Sequence, residues 1–203
     1  MFYTPETRDK TLLPHDPVKA IIAPRPIGWI STLSKDGVAN LAPYSFFNLV
    51  GVMPPMLMFS SEGVKDTAAN AVEQGEFVYN YASKSLEDEM NASSIPAPAG
   101  VSEFDHFNIP RAESEMVAPP RVATALANLE CKVTDVLQTQ DVNGEKTGAI
   151  MVIGQVVGVH IDESVIRAGR FDVNLADPVT RLGYLDFGLT HNLHEMPRPQ
   201  WKG

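Results

Sequence analysis

The feature that most constrains the fold is a pair of long strand-like runs joined by an Asn-Gly turn. Residues 126–137 and 147–162 are rich in β-branched and other apolar side chains, and the segment QDVNGEK lies between them at 140–146. An Asn-Gly pair in this setting is a strong hairpin signal, because both residues accept the positive φ angles of a tight turn. The sequence therefore predicts a long antiparallel strand pair.

Shorter strand-like segments are found along the rest of the chain, at 27–34, 40–50, 57–61, 76–83 and 171–175. A Lys-Asp-Gly turn at 35–37 separates the first two, and Pro43 requires an edge or bulge position in the second. Two short helices are predicted, at 65–75 and 85–94. Asp66 or Thr67 is the expected cap of the first helix, and Gly75 its end.

The sum of these elements is a mainly β fold with a few short helices. The long crossover helices of a parallel sheet are missing, which favours a closed antiparallel barrel. The proline-containing region 95–120 is expected to be irregular. A length of 203 residues suits a single domain over residues 1–203.

Composition excludes several classes of partner. The formal net charge of −9 argues against nucleic acid, since phosphate neutralisation needs a basic face. No apolar run approaches the roughly 20 residues of a membrane span, and the charged first ten residues predict no secretory signal. The single cysteine, Cys131, is expected to be a buried structural thiol. We therefore expect a cytoplasmic protein without membrane partners.

Polar and aromatic side chains concentrate between residues 25 and 67. A phosphate is favoured at the start of the predicted 66–74 helix, where free N–H groups, Lys65, Thr67 and the serine pair 60–61 supply donors. A flat ring system would then lie against the proline-kinked segment 43–48. A mononucleotide with a large planar ring fits both halves, but serines before helices are commonly caps, and aromatic strand residues are commonly core. Both interpretations remain open at this point.

The order of the motifs carries a resemblance. RPIGWIST, DGVANLAPYSFFN, PPMLMFSS, KDTAANAVEQGEFVYN and LEC occur in the same order as in the flavin reductase-like, FMN-binding split-barrel proteins. That family includes flavin reductase components of two-component monooxygenases and flavoredoxin-like proteins. The resemblance covers about residues 15–185 and leaves 186–203 as a C-terminal tail. It implies a Greek-key split β-barrel, a homodimer, and FMN, rather than FAD, bound near the subunit interface.

The resemblance also implies a set of cofactor-binding residues. The segment 40–48 would line the flavin ring, while serines, Lys65 and the start of the helix would hold the ribityl chain and phosphate. Phe77 and Asn80 fall in a matching motif but are equally structural candidates. The implied binding residues are Arg25, Trp29, Ser31, Asn40, Pro43, Tyr44, Ser45, Asn48, Ser60, Ser61, Lys65, Asp66 and Thr67.

Hydride transfer between NAD(P)H and flavin requires no protein nucleophile, and no Ser–His–Asp or Cys–His pattern stands out. His160 ends the run VIGQVVGVH, where family members often carry polar residues near the flavin. It is a candidate for donor binding or protonation, with a hydrogen-bonded strand-end histidine as the alternative. His191 and His194 lack a second ligand cluster, so we expect no metal site.

The segment DPVTRLGYLDFG at 177–188 resembles a C-terminal element of the family. Its Arg181 is a candidate to bind a phosphate of the nicotinamide nucleotide, or equally to anchor the tail. Tyr184 follows RLG directly, a departure from the family spacing that leaves its role open. The dinucleotide fingerprint G-x-G-x-x-G is absent, so the donor would bind without a Rossmann domain.

Three functions follow from these observations. The first is an NAD(P)H:FMN oxidoreductase, a flavin reductase that supplies reduced FMN to a partner monooxygenase. The second is a flavoredoxin-like electron carrier with tightly held FMN and no NAD(P)H activity of its own. The third is a binding module without cofactor, which the intact run of Ser60, Ser61, Lys65 and Thr67 disfavours.

Overall fold

The computed structural model describes residues 1–201, so the last two residues of the predicted tail lie outside the described part. The strands are β1 Arg25–Pro26, β2 Gly28–Leu33, β3 Ala39–Tyr44, β4 Phe47–Val52, β5 Pro55–Glu62, β6 Glu76–Tyr81, β7 Arg111–Ala112, β8 Arg121–Val122, β9 Ala127–Gln140, β10 Lys146–Ile161, β11 Ile166–Arg167, β12 Arg170–Phe171, β13 Val179–Arg181 and β14 Phe187–Leu189. The α-helices are α1 Val18–Ile21, α2 Asp66–Gln74, α3 Glu87–Ala92, α4 Glu103–His106 and α5 Val173–Ala176.

The predicted hairpin is confirmed, with β9 and β10 paired antiparallel along most of their length. Its turn is closed by Asp141, whose carboxylate accepts the backbone N–H groups of Asn143 and Glu145, both at 2.9 Å. Gly144 has a φ of 84°, whereas Asn143 does not have a positive φ, so only one of the two residues uses the conformation that the Asn-Gly signal predicts. The mainly β prediction is therefore confirmed at its strongest local signal.

One strand prediction is wrong. Residues 173–176 form the short helix α5, because the Asp172 carboxylate accepts N–H groups from Asn174 at 3.0 Å and Leu175 at 3.3 Å. An aspartate in this position caps a helix and turns the chain away from an extended course. Apolar content over so short a run does not separate a strand from one helical turn.

Helix α2 is confirmed, and Gly75 ends it in the left-handed conformation with a φ of 72°. The cap prediction is wrong, since Lys65 is the N-cap residue and supplies no side-chain hydrogen bond. Asp66 and Thr67 lie in the first turn instead. The first amide N–H groups of α2 therefore lack a capping side chain.

The main sheet has seven strands in the order β3-β2-β6-β9-β10-β5-β4. Its two edge strands, β3 and β4, are separated in sequence only by Ser45 and Phe46, so the sheet must roll up to bring its edges together. The Ser60 N–H on β5 donates to the carbonyl of Phe46 at 2.8 Å across this junction. The fold is thus a split antiparallel barrel, and Pro43 lies on an edge strand as predicted.

Two hydrophobic clusters lie on opposite faces of β2. Ile30 points into the barrel with Phe59, Phe77 and Val152, and α2 covers that cluster. Trp29 points outward to a second cluster under α3 and α4, where its indole N–H donates to the Ser93 hydroxyl at 2.9 Å. The alternation of side chains along a strand explains why neighbouring residues enter different cores.

The core also contains a satisfied polar residue, Asn80. Its side-chain oxygen accepts the backbone N–H of Val122 at 2.7 Å and the amide of Asn128 at 2.9 Å. Asn80 is therefore structural, as is the fully buried Phe77. Among residues 1–201, no helix is long and apolar enough to cross a membrane.

Candidate functional site

Two cavities meet beside the junction of β3 and β4. The first, the helix-end cavity, has a volume of about 420 Å³ and is lined by residues of β3, β5, the start of α2 and the segment 93–97. The second, the arginine cavity, has about 610 Å³ and is lined by residues of α3, Arg181 and Phe187. Both are lined by Pro43, Ser45 and Ser94, so they form one continuous groove. Each volume is in the range of small-molecule sites.

The helix-end cavity has the features of an anion site at the N-terminus of α2. Lys65, Asp66 and Thr67 line it, and the helix dipole makes this end positive. Lys65 is exposed and makes no salt bridge within residues 1–201. Uncapped amides together with a cation suit a phosphate.

A bridge of hydrogen bonds fixes the floor of this cavity. The Asn40 amide on β3 donates to the Thr67 hydroxyl at 2.8 Å and, more weakly, to Thr32 at 3.4 Å. Asn40 thereby ties the edge strand to the first turn of α2. Burial raises the pKa of the neighbouring Tyr44 phenol, which the hydroxyls of Thr67 and Ser61 partly counteract. The phenol therefore stays neutral and able to donate.

The helix-end cavity also contains carboxyl groups, those of Glu62, Asp66 and Glu103. Glu103 is the buried one, with only 5% of its surface exposed, and it accepts the Leu41 N–H at 2.9 Å. Burial raises the pKa of Glu103, an effect that the Leu41 N–H opposes and the nearby Asp66 increases. This end of the groove is thus mixed in charge, with one cation among acceptors.

The arginine cavity differs in character. The Arg181 guanidinium lies 4.3 Å from the centre of the Phe187 ring, a cation–π contact that holds it on one side of the cavity. Arg181 also donates to the Tyr184 carbonyl. Glu87, Asp88 and Asn91 of α3 line the cavity with Arg181, while Ile27, Met90 and Val179 add apolar surface. The cavity therefore combines a cation and a flat ring with apolar walls.

Many of the sequence-predicted residues come together in this groove. The helix-end cavity is lined by Asn40, Pro43, Tyr44, Ser45, Ser60, Lys65, Asp66 and Thr67, and the arginine cavity by Arg181. Ser61 lies next to the groove but is fully buried, and its hydroxyl donates to the Gly63 carbonyl at 2.9 Å. It shapes the approach to α2 without lining the cavity.

Other predicted residues are not brought to the groove. The Arg25 guanidinium is buried and donates to backbone carbonyls of Lys19, Ile22 and Leu182. Trp29 is fully buried in the core. The buried Ser31 hydroxyl donates to the Pro120 carbonyl at 2.6 Å. In the structure these side chains donate to protein groups, although the buried Nε of Arg25 has no hydrogen-bond partner within residues 1–201. Their implied cofactor roles stay predictions.

Asn48 is exposed on β4 and lines neither cavity. Its side-chain oxygen accepts the adjacent Leu49 N–H at 2.8 Å.

His160, the candidate for donor binding or protonation, also lines neither cavity. Its Nε2 is 2.5 Å from a carboxylate oxygen of Glu130, which is fully buried. The geometry corresponds to the alternative of a hydrogen-bonded strand-end histidine, and the catalytic assignment stays a prediction.

The tail histidines do not form a cluster in the described part of the chain. His191 Nδ1 lies 3.9 Å from Asp177 Oδ1, and no three His, Cys, Asp or Glu side chains within residues 1–201 converge around a point. Cys131 is fully buried, and burial raises its thiol pKa well above the ordinary value. It is therefore an unreactive structural thiol, as predicted.

Sequence reasoning missed several parts of the groove wall, among them the α3 residues and Phe187 of the arginine cavity. The segment Ser93–Ala97 lines the helix-end cavity, and Glu103 lines it from α4. A signal was available, because an irregular proline-containing segment in a compact domain is often functional. The packing of residues 95–120 against β3 could not be read from that signal.

Comparisons with known proteins agree with this architecture. Residues 22–178 match the flavin reductase-like domain. An uncharacterized protein of Halalkalibacterium halodurans is 35% identical over 183 residues, which cover 88% of this chain and 87% of the relative. Nitrilotriacetate monooxygenase component B from Bacillus cereus has a similar structure, with a TM-score of 0.88 and 27% identity over 97% of this chain and 98% of that one.

Flavoredoxin of Desulfovibrio vulgaris (Miyazaki F) shares the fold, with a TM-score of 0.76 and 19% identity over 85% of this chain and 90% of that one. The chain belongs to the flavin reductase-like family. Within that family it is a flavin-related oxidoreductase with a split-barrel fold.

Proposed function

We propose that this protein binds FMN in the groove and transfers a hydride from NAD(P)H to flavin. The observation that carries the proposal is the continuity of the groove, from the uncapped N-terminus of α2 to the Arg181–Phe187 pair. The α2 end suits a phosphate, and the segment Pro43–Ser45, where the two cavities meet, leaves room for a flat ring system. Membership in the flavin reductase-like family supports the same assignment.

The residues fit a flavin mononucleotide in order along the groove. Lys65 and the first amides of α2 would bind the phosphate, with Thr67 and Ser60 as further donors. Pro43 and Ser45 would present the outer backbone of edge strand β3 to the ring, since that side of the strand has no sheet partner. When bound, the flavin itself supplies the redox chemistry, so the protein's task is to bind and orient.

The arginine cavity would bind the nicotinamide nucleotide. The Arg181 guanidinium is prearranged by Phe187 and suits a phosphate oxygen pair. Asp88 on the same wall would disfavour an extra phosphate group by repulsion, while Glu87, which pairs with Lys84, would contribute less. This favours NADH over NADPH as the donor.

A second candidate function is a flavoredoxin-like electron carrier that holds FMN tightly and does not react with NAD(P)H. The structural similarity to a flavoredoxin favours it.

In either case we propose a homodimer in the cytoplasm. Leu49, Val50, Val52 and Met53 on and after edge strand β4 are all at least half exposed, and a partner subunit would cover them.

The test is spectroscopic. Purified protein is incubated with FMN, desalted, and given NADH without oxygen while the flavin absorbance is followed. Retained flavin that bleaches within seconds supports a reductase with bound cofactor. Flavin lost on desalting, with NADH oxidation restored by free FMN, supports a reductase that releases flavin to a monooxygenase. Retained flavin that never bleaches supports the carrier. If the protein neither retains flavin nor oxidises NADH, both candidate functions are refuted.

Lys65→Ala tests the phosphate end of the site. Loss of one charge-assisted contact should weaken FMN binding by about 1–3 kcal/mol while leaving riboflavin, which has no phosphate, unaffected. Lys35→Ala is the matched control, because Lys35 lies exposed in the turn between β2 and β3. Fluorescence titration of both flavins measures the difference. An unchanged FMN affinity in Lys65→Ala would place the phosphate elsewhere.

A further inference from the structure

Glu103 is a buried carboxyl group that the sequence-based site did not include. It is the first residue of α4 and only 5% exposed, yet it lines the helix-end cavity with Asn40 and Thr67. One carboxylate oxygen, Oε2, accepts the Leu41 N–H on the outer edge of β3 at 2.9 Å. The carboxylate also accepts its own backbone N–H. An ionised carboxylate has about four lone-pair sites, so these two N–H groups do not exhaust it. Glu103 therefore has spare acceptor capacity where the ligand would lie.

Glu103 is accompanied by other acceptors in the helix-end cavity. Asn40 lines the same cavity, and because its amide N–H groups go to Thr67 and Thr32, its side-chain oxygen is a second acceptor. Asp66, on the same cavity wall, is a further acceptor. A ligand segment that satisfies these acceptors must donate hydrogen bonds. A phosphate dianion does not donate, and a flavin ring donates from a single N–H.

The polyol chain of a flavin does donate, from several adjacent hydroxyl groups. A carboxylate is well suited to such groups, as in the recognition of ribose hydroxyls by an acidic residue in dinucleotide-binding folds. Glu103 lines the same cavity as Lys65, the proposed phosphate end, and the segment Pro43–Ser45, where the ring would lie. We propose that Glu103 binds hydroxyl groups of the ribityl chain and so selects flavins that carry this chain. The inference rests on the proposed function, because it assumes that the groove binds flavin.

The alternative is that Glu103 only caps the free edge of β3 through Leu41. Glu103→Gln separates the two roles, because the glutamine oxygen can still accept the Leu41 N–H while the charge is lost. Asp105→Asn is the matched control. It removes a charge from the same helix, but Asp105 is exposed and pairs with Arg111 at the surface. Neither riboflavin nor lumiflavin contains a phosphate, and lumiflavin has a methyl group in place of the ribityl chain.

The experiment is a fluorescence titration of riboflavin and lumiflavin into the wild-type protein and both variants at neutral pH. Glu103→Gln should lose about tenfold in riboflavin affinity, the effect of one hydrogen bond to a charged group, and nothing in lumiflavin affinity. Asp105→Asn should bind both flavins as the wild type does. Equal losses for both flavins, or no loss for riboflavin, would overturn the inference while leaving the proposed function intact. If the wild-type protein binds neither riboflavin nor FMN, the proposed function fails and the inference fails with it.

Discussion

Replacing Glu130 by glutamine tests a buried charge on which the position of the segment between β7 and β8 depends. Glu130 lies on β9, is fully buried, and accepts the backbone N–H groups of Glu115 at 2.9 Å and Met116 at 2.6 Å. The same carboxylate contacts His160. It thereby holds the segment between β7 and β8 against the sheet.

The magnitude follows from these contacts. Glutamine keeps one oxygen acceptor, but its NH₂ group would face one of the two backbone N–H groups that the carboxylate accepts. A buried N–H left without a partner costs about 1–3 kcal/mol. The charge-assisted contact with His160 is also lost, and breaking a buried pair costs roughly 3–5 kcal/mol when the remaining partner stays buried. Since His160 is partly exposed, we expect a loss of about 3 kcal/mol in the free energy of unfolding.

The assay is urea unfolding at neutral pH, supported by thermal melting. A loss of 3 kcal/mol should lower the melting temperature by roughly 6–12 °C in a chain of this size. Glu113→Gln is the matched control, because Glu113 is exposed in the same segment. Its stability should stay within about 0.5 kcal/mol of wild type.

The pH dependence gives a second measurement. Burial by itself would raise the pKa of Glu130, but the N–H of Glu115, His160 and the N–H of Met116 together lower it below its ordinary value of 4.5. The folded state therefore binds the proton less readily than the unfolded state. The stabilising contribution is present above the unfolded pKa and is lost as the pH falls through the folded pKa. The difference in the free energy of unfolding between wild type and Glu130→Gln should therefore become smaller in acid. A difference below about 0.5 kcal/mol at neutral pH would refute the reasoning.

Two further predictions concern packing and the strand-end histidine. Gly28→Ala should destabilise the protein by about 3 kcal/mol, because the new Cβ would overlap the Phe47 ring. The control is Gly148→Ala, which should not clash, because no atom comes closer than 3.9 Å to its new Cβ. Equal melting temperatures of the two variants would contradict the prediction. His160→Gln should lower stability by about 1–2 kcal/mol through the contact with Glu130, and a change in the Michaelis constant for NADH or in turnover would support the sequence-based catalytic role.

The sequence by itself determined the elements whose signals are local. The Asn143-Gly144 pair predicts the β9–β10 hairpin because the turn depends on a few adjacent residues, and Gly144 supplies the positive φ that it needs. Helix α2 and its end at Gly75 follow from helix-forming residues and one left-handed glycine. The anion site that we propose at Lys65 and Thr67 could be suggested in advance for the same reason, since it is a property of the helix terminus.

The tertiary structure decided which side chains reach the groove. Arg25, Trp29 and Ser31 have the chemistry of binding residues, yet rolling up the sheet gives each a protein partner instead. Glu103 comes from a part of the chain read as irregular, and it reaches the cavity because α4 packs against the edge of β3. The physical reason is that turns and helix ends depend on neighbouring residues, whereas burial and cavity walls depend on contacts between residues far apart in sequence.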